Sequence, residues 1–189
     1  MKSFEFLILF FSFAFALALT HLLFAATRMI RHRRTLIFSW PHALWMATAL
    51  MLLLGNWLSL FDFRAKESID LPTVFMLFAV VIMLYFACAL VSPDFEEGET
   101  YDMTAFHERE GRTYIGALLV LMVVSFAANI DATHEGVAAW GAENTLVGLM
   151  IVPTVLALVT RNRFAQILCP LALLGLSLAF MVIFYPVLD

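Results

Sequence analysis

The sequence predicts an all-α integral membrane protein: a bundle of six transmembrane helices in a single domain spanning residues 1–189, with both termini on the extracytoplasmic side. Three observations carry that reading. Of 189 residues, 63% are hydrophobic and 14% charged, and mean hydropathy is +0.93. A soluble domain holds about 25% charged residues. The charges bunch between apolar blocks of about 20 residues, the length a helix needs to cross a hydrocarbon core of about 30 Å. Basic residues alternate along the chain, and these set orientation.

The first span covers about 4–27. Its apolar run is longer than the h-region of a signal peptide, so it reads as a membrane helix. Ala14, Ala18, His21, Ala25 and Arg28 share one helical face, and small residues let helices approach closely in lipid. Phe10, Phe11, Phe13 and Phe15 are expected to cover the rest. Arg28, Arg31, Arg33 and Arg34 follow beyond the apolar run, a position that favours a cytoplasmic anchor over a voltage sensor.

The second span, about 36–61, carries the most polar stripe: His42, Trp45, Ala49, Leu52, Asn56 and Ser59 at heptad spacing. Polar side chains within a membrane turn toward protein or a water-filled cavity. Pro41 is tolerable there if the helix begins late. The third span, about 71–91, ends at Ser92-Pro93. The long acidic connection after it is read as a solvated loop, with a short interfacial helix from Thr104 capped by Asp102 or Thr104. The fourth, fifth and sixth spans cover about 113–130, 144–160 and 164–188. Pro153 interrupts the fifth. Pro41 and Pro153 fall in the middle helices of two three-span halves, although no sequence self-similarity supports an inverted repeat.

Eight of the eleven Lys and Arg lie in the first, third and fifth connections (Arg28, Arg31, Arg33, Arg34, Arg109, Arg112, Arg161 and Arg163). The positive-inside rule then places those connections in the cytoplasm. The expected location is the cell membrane, as a multi-pass protein of a bacterial inner-membrane kind. A net charge of −4 and pI near 5.7 give no reason to expect nucleic acid as a partner.

With that topology, His21, His42 and Tyr85 fall at one depth, about 10–12 Å inside the arginine-rich boundary at 1.5 Å per residue. Ionisable residues in lipid are costly without a partner or a role. Three roles are open to the two histidines: passing protons or lining an ion path, ligating a haem or metal between helices, or bonding across a helix interface. Asn56, Ser59 and Asn129 extend the polar stripe toward the other boundary, which suggests a continuous solute path. Asp131, His134 and Glu135 lack the spacing of a known metal site.

Nucleophile-elbow, zinc-protease, P-loop and dinucleotide-binding motifs are all missing, so nothing marks the chain as an enzyme. Cys88 and Cys169 lie inside apolar segments as small buried residues. The leading expectation is a small channel or transporter for an ion or small solute, with His21, His42, Trp45, Asn56, Ser59, Tyr85 and Asn129 along the pathway and no resident cofactor. A second expectation is a non-catalytic subunit of a larger membrane complex, docking through Glu96, Glu97 and Glu99. A third is a haem- or quinone-linked redox protein. Lipid and further copies of the chain are the remaining expected partners.

Overall fold

A computed structural model describes the backbone of residues 3–64, 69–94, 101–132 and 137–186, and the side chains of 7–64, 69–94, 101–129 and 144–186. Among these residues the chain forms six α-helices: α1 (Ser3–Arg31), α2 (Trp40–Ser59), α3 (Leu71–Val91), α4 (Met103–Ala132), α5 (Val137–Val159) and α6 (Arg163–Phe184). Five of them are long and apolar enough to cross a membrane, and Asn144–Val159 is a shorter apolar helix. This is the pattern of a multi-pass membrane protein.

The helix ends follow from local chemistry. Asp70 Oδ1 accepts from the Thr73 backbone N–H at 3.1 Å and starts α3, and Asn162 Oδ1 does the same for α6 through Phe164. Asp102 Oδ1 accepts from both Thr104 and Ala105, which selects Asp102 over Thr104 as the cap. The expected interfacial helix is therefore not separate. It runs without a break into the fourth span as α4, because the segment that joins them, Glu110 to Thr113, has no helix breaker beyond one glycine. The second span also starts later than expected. Leu36–Ile37 is a short strand, β1, and the helix begins at Trp40 with Pro41 in its first turn, where the missing N–H costs nothing. Pro153, by contrast, lies inside α5, and the helix continues through it. The two prolines thus occupy unlike positions, and the paired-break reading fails.

Strand β1 pairs in parallel with β2 (Tyr101–Asp102), Leu36 opposite Tyr101 and Ile37 opposite Asp102. The pairing joins the arginine-rich first connection to the third, so both lie at one end of the bundle. At the other end the Tyr185 hydroxyl donates to Asp62 Oδ2 at 2.6 Å, joining the end of α6 to the 3-10 turn Leu60–Phe63 that follows α2.

Helix α2 is the centre of the packing, in contact with α1, α3, α4 and α6, while α1 leans on α3, α4 on α3 and α5, and α5 on α6. Its buried face holds His42, Trp45, Thr48, Ala49 and Leu52, so the predicted stripe does face protein. On α1 the inward face is Phe11, Phe15, Ala18, Leu22 and Ala25. Phe11 and Phe15 are core residues rather than outer cover, since they share the face of the small residues at three- and four-residue spacing. Phe13, Phe75, Val152, Phe164 and Val182 are exposed and form an apolar outer surface of the kind lipid requires.

Candidate functional site

Two cavities lie within the same four helices, α2, α4, α5 and α6. One is large, about 560 Å³, and sits at the arginine-rich end. That is within the range of small-ligand pockets. Its walls come from the start of α2 (Ser39, Trp40), the first turns of α4 (Thr104, His107, Gly111), the end of α5 and the start of α6 (Arg163, Gln166). The other is about 60 Å³ and lies toward the opposite end, lined on α2 by Gly55, Asn56 and Ser59, on α4 by Ser125 and Asn129, and on α6 by Ser177. It has room for a few waters.

The polar groups of the small cavity are partly tied down. Asn56 Nδ2 donates back to Leu52 O at 2.8 Å, and Asn56 Oδ1 accepts from the Ser125 hydroxyl at 3.0 Å. Ser59 donates to Asn56 O. Ser177 is buried, and its hydroxyl has no partner among the described residues. Three of the predicted residues, Asn56, Ser59 and Asn129, meet at this cavity.

Between the cavities the helices close. On α2 the gap from Pro41 to Met51 is about 15 Å, and on α4 the gap from Ile115 to Leu121 is about 9 Å, at 1.5 Å per residue. Trp45, Thr48, Ala49, Leu118, Thr154 and Leu173 fill this layer and are buried. Thr48 donates to Leu44 O, and Thr154 donates to Met150 O with Met122 Sδ nearby. Trp45 Nε1 is the exception: a fully buried donor with no acceptor among the described residues. A buried unpaired donor costs about 1–3 kcal/mol, so Trp45 carries hydrogen-bonding capacity that the fold itself does not use.

The two predicted histidines are separated by their partners. His21 Nε2 bonds the Tyr85 hydroxyl at 3.1 Å with the rings edge to face at 5.2 Å, across the α1–α3 interface and on helices that line neither cavity. His42 is fully buried, and its Nε2 meets Val91 O at 2.9 Å. Its ring packs on Phe106 and Tyr114. Ligation of haem iron through Nε2 would break both bonds, and among the described residues no three His, Cys, Asp or Glu gather in metal-binding geometry. The residues present do not fit a haem shared by these two histidines. Glu96, Glu97, Glu99, His134 and Glu135 lie outside the described residues, as does the side chain of Asp131.

The large cavity was missed by the sequence reading. Its signal was present: Thr104, His107, Glu108, Gly111 and Ile115 recur at helical spacing. A solvated-loop reading of that segment hid it. His107 Nδ1 and the Tyr114 hydroxyl are hydrogen-bonded at the cavity wall, and the Gln166 side chain lies beside the same imidazole.

The chain matches no protein-family model, no curated protein and no solved structure. Five helices long and apolar enough to cross a membrane point to the class of multi-pass helical membrane proteins.

Proposed function

We propose that the protein is a small channel or transporter for an ion or small polar solute, with its path through α2, α4, α5 and α6. The observation that supports this is the pair of cavities at opposite ends of one four-helix unit, separated by a closed layer about 9–15 Å thick. Asn56, Ser59 and Asn129 form the polar lining on one side of the layer, and Trp45 supplies a free donor within it. Small bundles that move solutes need such a wet approach from each side and a barrier that opens. His42 borders the layer, and His21 with Tyr85 supports the path from outside, holding α1 against α3. The arginine-rich end faces the cytoplasm in this reading, on the distribution of basic residues.

The test is swelling of proteoliposomes in glycerol, urea, ammonium and acetate, beside a proton-flux dye. Wild-type protein should admit at least one of these faster than empty liposomes do. Trp45→Ala should raise the leak by thinning the barrier, and Asn56→Leu should lower the flux. No flux above empty liposomes for any probe, in wild type and Trp45→Ala alike, would sink the proposal.

A further inference from the structure

The large cavity has a charge that a path for small neutral solutes does not require. Arg112, Arg161 and Arg163 line it, and none of the three has an ion-pair partner among the described residues. One carboxylate, Glu108, lines it with them. Helices α2 and α6 both begin at this cavity, so two positive dipole ends point at it. Helix α5 ends there with the opposite polarity, but the carbonyls of Ala157, in its last turn, and of Thr160, just beyond it, accept from Gln166 Nε2 at 2.7 and 2.8 Å. The balance is strongly toward an anion.

A second, independent feature points to a ligand. Ser39 lines the cavity and is 3% exposed, yet its hydroxyl has no hydrogen-bond partner among the described residues. It occupies the N-cap position of α2 without capping it. Gln166 Oε1 is also buried, beside the His107 imidazole. The rim is apolar and exposed, with Phe38 and Trp40 packed edge to face at 5.1 Å. Aromatic pairs of this kind settle at the membrane–water boundary.

We infer that this cavity binds a phosphate anion attached to an apolar body, supplied by an anionic membrane lipid. Arg161 and Arg163 contact the phosphate through guanidinium forks, which match its oxygens in pairs. Ser39 donates its unused hydroxyl, and Phe38 and Trp40 hold the acyl chain at the rim. Basic pockets between helices on one side of a membrane recognise lipid headgroups in this way. The inference does not rest on transport: lipid retention without flux would keep it and remove the path.

The experiment uses the full chain in mild detergent. Thermal unfolding and native mass spectrometry are run with phosphatidylglycerol, with phosphatidylcholine, and with sodium phosphate against sodium chloride at equal ionic strength. Wild-type protein should retain phosphatidylglycerol over phosphatidylcholine. The exposed double variant R161Q/R163Q should bind it roughly 30-fold more weakly, from two basic residues near an anionic headgroup. Ser39→Ala should weaken retention while leaving the fold intact. R33Q/R34Q, which removes charge outside the cavity, should bind like wild type. Stabilisation by inorganic phosphate with no lipid retention would keep the phosphate site and assign it a soluble ligand. No preference in wild type, or equal losses in R33Q/R34Q and R161Q/R163Q, would overturn the inference in favour of diffuse surface charge.

Discussion

His42 Nε2 donates to the carbonyl oxygen of Val91 at 2.9 Å, a bond between the first turn of α2 and the last residue of α3. A carbonyl accepts only, so the proton is on Nε2 and the tautomer is set by the partner. Val91 O is one of the carbonyls that a helix end leaves without an intrahelical donor, because Ser92-Pro93 stops α3. His42 satisfies it from another helix, surrounded by Phe106 and Tyr114. This is a packing bond at a fully buried residue.

His42→Ala therefore removes a buried donor and opens a cavity beside Phe106 and Tyr114. We expect it to destabilise the protein by about 2–4 kcal/mol, read as a lower Tm in detergent. His42→Gln retains an N–H donor and should recover part of the loss. A Tm equal to wild type in His42→Ala would show that the bond to Val91 does not hold α2 against α3.

His21 and Tyr85 form one interaction across α1 and α3, so their effects should be coupled. In a double-mutant cycle with His21→Ala and Tyr85→Phe, the coupling should be about 0.6 kcal/mol and at most about 1.7, the range for polar bonds between membrane helices. Solute flux should be unchanged in both single variants, because neither helix lines either cavity of the proposed path. A flux defect in His21→Ala with no coupling to Tyr85 would place His21 on the path instead.

Orientation is open to a direct check. Alkaline phosphatase fused after Asp189 should be active and green fluorescent protein at the same point dark, if both termini are extracytoplasmic as the basic residues imply. The reverse result would invert the orientation and put the arginine-lined cavity on the outside.

Composition and the alternation of apolar and charged blocks are enough to read the class, the rough positions of the helices and the arginine-rich connections. Local rules also placed the end of α3 at Ser92-Pro93, because a proline acts within a few residues of itself, whereas α2 starts at Trp40 and not near Leu36. Which face of each helix turns inward was harder. In a soluble helix polarity marks the outer face, but here the surfaces toward lipid and toward protein are both apolar. Thus Phe11 and Phe13 read alike in sequence although one is core and the other is exposed. His21 and His42 also read alike at one depth, and only the packing gave them different partners, Tyr85 and Val91.

The cavities lay furthest from view. Each is assembled from four helices, so its existence depends on how they pack and not on any one segment. Asn56, Ser125 and Ser177 come together from positions 56, 125 and 177, and Ser39, Arg112 and Gln166 from a similar spread. What the sequence determined was where the chain can enter lipid, since transfer energy is summed along one segment. The tertiary structure alone decided which polar groups meet, which are satisfied and which are left with hydrogen-bonding capacity, because those depend on distances between segments that hydropathy does not encode.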